Sequence, residues 1–441
     1  MMSVIIQYGW FIMAKFLVIN ANLFLPAHRN IRLVCCALGL SFGLSSAVSL
    51  AASADYVALV DPVAQQQPEA LMAEGLQSLS KANQSLSQSW LSDAVAITVA
   101  HENDALTGNL DTQNWAVGAE FSVLLPKQQS ALQGVSDAYR AQLSIQQDYL
   151  NWLASGKLRQ LSWAYKKAQI EANLAESALK NSMALQETVQ RKVEVGDSAQ
   201  LDLLLAEKFV LEQQALVQQK LGQLNLLKKE FDFWTGQSKL PKEIVERPQP
   251  LRALSEHPKV RWVQSAYEVS KAQYSQQKTL NQSGPTFSVG AQNDKSNTED
   301  NTFLFVEVSI PIGSAPMNQV NLAEKQQAIQ TQSMEVKRTE QALNLAILAA
   351  EQDVLMSEKN RLLAEQQHKI SQETLHLAEQ AYQLGESSIQ SLLLIKKEAV
   401  VAQLNVELAS ANFEQAIAQA NQIKGHSLMN VPDTILERGA E

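Results

Sequence analysis

Cysteine is nearly absent. The 441 residues hold only Cys35 and Cys36, adjacent and near the N-terminus. The rest of the chain can therefore form no disulfide, thiolate metal site or cysteine nucleophile. Aromatic residues make up 6% and charged residues 18%, a composition suited to long helices with shallow small-residue seams rather than to a thick globular core. Excess positive charge is also missing: the formal net charge of −9 argues against a nucleic-acid footprint, so no nucleic-acid partner is expected. Enzyme motifs are wanting too. There is no Walker loop, no GxGxxG and no HExxH, and His368 and His376 stand eight residues apart instead of the four of a helical metal pair. No nucleophile–base pairing can be named. The chain is expected to be no enzyme, with no catalytic residues, no metal site and no cofactor.

Acidic residues are absent from the first 54 positions, which carry three basic ones, Lys15, Arg29 and Arg32. Taking those three from 36 leaves 33 basic against 45 acidic residues, a charge of −12. Arg29 and Arg32 precede an uncharged run from Leu33 to Ala52, closed by Ala52-Ser53-Ala54, the small-x-small pattern cut by signal peptidase. Residues 1–54 are thus expected to be an N-terminal extension and signal peptide, with Met13 an internal start candidate. An uncleaved anchor helix is the alternative reading. Cys35 leads the apolar run rather than ending it, which speaks against lipid attachment.

Proline and glycine are scarce where helices should run, and a repeat is legible. Val195-Gly196-Asp197-Ser198 followed by Leu203-Leu204-Leu205 recurs as Leu384-Gly385-Glu386-Ser387 followed by Leu392-Leu393-Leu394, 189 residues on. Val123-Leu124-Leu125-Pro126 recurs as Val308-Ser309-Ile310-Pro311, 185 residues on. Lys127 to Glu194 contains no proline and two glycines, Gly134 and Gly156, predicting a helix on the order of 100 Å long. Its partner, about Ser198 to Phe233, places Leu203, Val210, Val217, Leu224 and Phe231 at seven-residue steps, a coiled-coil seam. The expected plan is a first repeat over 55–250 (helix, strand pair 94–123, helical hairpin 127–236). A second follows over 251–425 (helix, strand pair 285–310, helical hairpin 316–424), then a tail over 426–441. Gly196 and Gly385 are placed to end helices in the left-handed conformation, with the Asp-Ser and Glu-Ser that follow as caps for the next helix.

The strand segments alternate. Trp115, Val117, Ala119, Phe121 and Val123 are apolar at odd positions, Val95, Ile97 and Val99 likewise, and Phe287, Val289 and Ala291 in the second pair. Thr302 to Ile310 alternates less well because Phe303 and Phe305 interrupt it. The connecting loops are expected over His101–Gln113 and Asn293–Asn301. Such period-two segments suit a transmembrane barrel, with Trp90, Trp115 and Phe287 in an aromatic girdle; a soluble sandwich face alternates the same way. Four strands cannot close a barrel, and an open edge cannot stand in lipid. A membrane reading therefore requires the chain to pool strands with copies of itself.

These residues resemble the TolC family of outer-membrane efflux factors over most of the chain beyond the export signal. The resemblance rests on the two turns at Gly196 and Gly385, on Glu307-Val308-Ser309-Ile310-Pro311 entering a long helix, and on His257-Pro258. Leu153 to Arg159, Trp163 and Phe233-Trp234-Thr235-Gly236 are similar to its heavy-metal branch. The resemblance implies a mainly α fold with inserted β: a periplasmic α-barrel of helical hairpins, four transmembrane strands per protomer, an internal two-fold repeat and a trimeric twelve-stranded barrel. It also implies a homotrimer in the outer membrane of a Gram-negative bacterium, in contact with outer-membrane lipid and extending into the periplasm. Such a trimer would be a passive exit duct for metal cations or drugs, docked to a periplasmic adaptor and an inner-membrane efflux pump. Gly196, Asp197, Ser198, Gly385, Glu386 and Ser387 would form the adaptor-facing tip. Asp202 would be a channel-entrance carboxylate; Ser391 and Leu394 occupy the matching second-repeat positions where the family often has acids. Alternatives are a periplasmic coiled-coil adaptor or scaffold, and a type I secretion channel.

Overall fold

A computed structural model describes residues 55–428 apart from 105, 107–111, 282–283 and 314–315. The signal segment with Cys35 and Cys36, and all of the tail beyond 428, lie outside the described residues. Short helix α1 (Val60–Gln65) and a 3-10 turn (Pro68–Leu71) lead into α2 (Met72–Gln88), strands β1 (Ala96–Asn103) and β2 (Gln113–Ser122), and the long helices α3 (Pro126–Glu194) and α4 (Gln200–Thr235). Then come α5 (Pro258–Leu280), β3 (Thr286–Lys295), β4 (Asp300–Ser309), α6 (Pro316–Gln383) and α7 (Ile389–Ile423). No described helix is long and apolar enough to cross a membrane.

Local chemistry starts helix α3. Pro126 sits at the first position of α3, where its missing N–H costs nothing, and the Gln128 side chain accepts from the Leu125 N–H at 2.7 Å. With 69 residues, α3 extends about 100 Å. Its inward stripe is a strict seven-residue series, Ala154, Leu161, Ala168, Ala175, Ser182 and Val189, all buried. Small side chains there let neighbouring helices approach closely. The anticipated seam of α4 also turns inward, with Val210, Val217 and Phe231 buried and Leu203 and Leu224 half-buried. Helix α6 repeats the device with Val336, Leu343, Ala350, Ala364 and Ala378. Helix α3 packs on α4 and α7, and α7 on α6, so α4 and α6 take the two ends of the row.

The four strands form one antiparallel sheet in the order β1-β2-β3-β4. They run further than alternation alone suggests. Glu102 pairs with Asn114, and Asn293 with Thr302, so residues His101 to Asn103 and Asn293 to Asn301 include ladder residues as well as loop. Backbone pairing and side-chain bonds, such as Asn293 Nδ2 donating to Asp300 (2.8 Å) and Thr302 (3.1 Å), hold these polar ends without an apolar signal.

Candidate functional site

The hairpin tips are built alike. In the first, the Gly196 N–H donates to the Val193 carbonyl (3.0 Å) and the Asp197 N–H to the Lys192 carbonyl (2.7 Å). In the second, Gly385 donates to Tyr382 (3.2 Å) and Glu386 to Ala381 (2.9 Å). Both are Schellman closures, which need a left-handed residue after the helix. Gly196 and Gly385 supply it, with φ of +79° and +76°. Gly196, Asp197, Gly385 and Glu386 are exposed, and Ser198 and Ser387 half-buried. The capping differs from expectation. Ala199, not Ser198, precedes α4 and makes no side-chain cap, whereas Ser388, not Ser387, caps α7 by accepting from the Ser391 N–H at 3.2 Å. Each helix begins one residue later than the Asp-Ser and Glu-Ser pattern implied.

The tips meet through the repeat leucines Leu392 and Leu393 and through Tyr382 and Lys192, two residues that the sequence did not single out. Tyr382 lies buried in a cluster with Val189, Ala206, Phe209, Leu392 and Leu393. Lys192 Nζ stands 4.9 Å from its ring centroid and 3.8 Å from Asp197. Burial raises the Tyr382 hydroxyl pKa; the Ser198 hydroxyl opposes this, while the Asp202 and Asp197 carboxylates add to it. Asp202 stands half-buried in the first turn of α4.

The waist of the helical body is held differently. Arg159, 3% exposed, makes a two-pronged pair with Glu246, Nε to Oε1 at 2.7 Å and Nη2 to Oε2 at 2.8 Å. Its Nη1 donates to the His426 carbonyl at 2.9 Å and to the Gln422 side chain. Asn421 donates to Glu246 (3.1 Å), and Trp152 Nε1 to the Gln422 carbonyl (2.8 Å). His257, the residue before Pro258, caps α5: its Nδ1 accepts from the Lys259 N–H at 3.1 Å, leaving Nε2 to donate to the Ile423 carbonyl at 3.2 Å. Burial pushes the His257 pKa down to about 4, and Lys259, Arg252 and His426 press the same way against the Ile423 bond. His426 is lowered too, again chiefly by burial. In this region the stretch from Leu153 to Arg159, Trp163, Phe231, Phe233-Trp234-Thr235-Gly236 and His257-Pro258 carry a signal in the sequence, whereas Glu246, Asn421, Gln422 and His426 do not. Trp163 is fully buried beside Leu158 and Phe231.

The sheet has two unlike faces. Register places Ile97, Val99, Trp115, Val117, Ala119, Phe121, Phe287, Val289, Ala291, Leu304, Val306 and Val308 on one side. Most of these are open to the outside; Leu304 is 88% exposed and Ile97 and Val306 are each 77%. Aromatic groups bracket this surface. Trp90, Phe121 and Phe287 contact in sequence at one end, at 5.5 and 5.7 Å, and His101 stacks on Trp115 at 4.2 Å towards the other. Six residues of strand separate Phe121 from Trp115, about 20 Å. The opposite face carries Thr98, Glu102, Asn114, Glu120, Ser288, Gln292, Asp294, Asn301, Glu307 and small residues, together with Phe303 and Phe305.

No family model matches the chain, and no curated protein matches it. Solved structures do. Over 83% of this chain and 91% of the other, it superposes on CusC, from a study of folding and transmembrane channel formation, with a TM-score of 0.66 and 16% identity. The Campylobacter jejuni CmeC outer membrane channel matches over 85% of both chains, with a TM-score of 0.64 and 10% identity. The open-state Neisseria gonorrhoeae MtrE outer membrane channel matches over 85% of this chain and 89% of its own, at 0.62 and 15%. The mainly helical chain with its four-stranded antiparallel sheet therefore has the TolC-like channel fold.

Proposed function

We propose that the chain is one subunit of an outer-membrane exit duct, with the strands in the bilayer and the helices in the periplasm. The observation that carries this is the sheet: one face broadly apolar, exposed and bracketed by aromatic groups, the other mainly polar or small apart from Phe303 and Phe305, and both edges, β1 and β4, without a partner strand among the described residues. In water such a surface is a liability; in lipid it is the expected exterior of a barrel wall. Open edges cannot persist in hydrocarbon. Three copies supply about twelve strands, within the size range of outer-membrane barrels.

The helical body supports the same closure. Helix α6 leaves Met356, Leu363, Ile370 and Leu377 exposed at seven-residue steps, and α4 leaves Leu204, Leu211, Leu226 and Phe233 exposed. These helices hold opposite ends of the row, so a ring of copies brings one against the other as a coiled-coil seam. A periplasmic adaptor built around one hairpin with small β-domains fits less well, since the described chain has two hairpins and a single sheet. In this reading Gly196, Asp197, Ser198, Gly385, Glu386 and Ser387 face a periplasmic adaptor linked to an inner-membrane pump, and Asp202 is the carboxylate at the inner mouth. The duct is passive, and transport energy comes from the pump.

Fractionation followed by unboiled gel electrophoresis and planar-bilayer recording tests the proposal. The expected result is outer-membrane recovery, a heat-labile oligomer and discrete conductance steps. A soluble monomer without pore activity would end it.

A further inference from the structure

The inner face of the sheet is polar but interrupted. Pairing sets Ala96, Glu120, Ser288 and Glu307 in one row near the helices, and Glu102, Asn114, Asp294 and Asn301 in a row at the far end. Between them lie two rows with one large side chain each: Thr98, Gly118, Gly290 and Phe305, then Ala100, Ala116, Gln292 and Phe303. None of these positions is lysine or arginine.

The two phenylalanines differ in kind. A Cβ added at Gly290 would come within 2.6 Å of the Phe305 ring, and one at Gly118 within 3.2 Å. Phe305 thus brings the tip of its ring over two glycines, filling space that side chains there would take. It is part of the wall. Phe303 has no such bed. Its row neighbours are Ala100, Ala116 and Gln292, and 51% of it stays exposed on a face that, Phe305 aside, is polar or small. Packing on these strands gives no reason for a phenyl group there.

We propose that Phe303 is a specificity-determining residue of the pore. Copies of it form an apolar band between two carboxylate rows, where aromatic cations are detained as they pass. The inference rests on the exit-duct reading, which places this face in the lumen. An aromatic ring attracts a cation over its face, and the rows of Glu120 with Glu307 and Glu102 with Asp294 raise cation concentration on either side.

The test is planar-bilayer recording of the full chain with tetraphenylphosphonium added from the sheet side, in wild type, Phe303→Ala and Phe303→Trp. Block is expected to weaken roughly five-fold in Phe303→Ala and to persist in Phe303→Trp. A discrete potassium conductance and the heat-labile oligomer, both retained whatever the size of the unblocked current, would show that the variants fold and insert, and block is read relative to each channel's own unblocked current. Equal block in all three channels, or none in wild type, would overturn the Phe303 assignment and leave the duct intact. Absence of any wild-type conductance would instead remove the duct reading, and this inference with it.

Discussion

The waist and the tips of the same helices are held by opposite means. At the waist, Arg159 and Glu246 are both withdrawn from solvent, at 3% and 11% side-chain exposure, and Gln422, Asn421 and the His426 carbonyl take up their remaining bonding capacity. At the tips, Lys192 and Asp197 face each other at 3.8 Å with Asp197 66% exposed, and the glycine turns point into open space. A buried, fully bonded charge pair is costly to disturb, whereas an exposed pair contributes little. Under the proposed exit-duct reading, that division suits a fixed collar at the waist and an opening end at the tips.

The largest expected effect breaks the collar. Arg159→Ala strands the buried Glu246 carboxylate, and should cost about 3–5 kcal/mol, read as a lower melting temperature of the purified oligomer. Replacing both partners by apolar residues of similar volume should recover much of it.

Next come the turns. Valine at Gly196 or Gly385 must adopt φ near +79° or +76°, at a cost of about 1–2 kcal/mol. No neighbour would clash, so folding and membrane insertion should survive while export in cells falls. Unchanged export in both variants would remove the tip from adaptor docking.

Acid should sharpen the contrast at intermediate strength. His257 folds with a pKa near 4 against an ordinary 6.5, so the unfolded chain binds the extra proton between those values. Its contribution to stability is complete above about 6.5 and is lost as pH falls towards about 4. Protonation would also set a second donor at Nδ1 against the Lys259 N–H. Melting temperatures should therefore drop over this window. His257→Asn, which keeps a capping oxygen and does not titrate, should flatten the profile; an identical slope in the variant would assign the effect elsewhere.

The smallest effect is at the tip pair. Lys192→Ala removes an exposed ion pair and a contact with the Tyr382 ring, and should shift stability by no more than about 1 kcal/mol.

What the sequence revealed follows the range of each interaction. The glycine turns, Pro126 and the seven-residue seam of α4 are local signals, readable within a few residues. The strand ends were not readable, because Glu102 and Asn293 pair through backbone and leave no apolar alternation. Helix α1 is too short for a period. Arg159 and Glu246 stand 87 residues apart, and Tyr382 reaches Lys192 from the other hairpin, so only the folded chain brings either pair together. Phe305 looked like a defect in alternation until the glycines beneath it were placed.

The central claim is that copies share the barrel wall edge to edge. It is tested most directly in a chain with Cys35 and Cys36 changed to serine and single cysteines at Glu102 on β1 and Asn301 on β4, which share one row and one face of the sheet. Within one sheet these positions lie about 14 Å apart across three strand spacings, beyond the reach of a short bis-maleimide. Crosslinking in outer-membrane vesicles should give a ladder ending at three chains. Monomer alone, or a ladder running beyond three, would contradict the account.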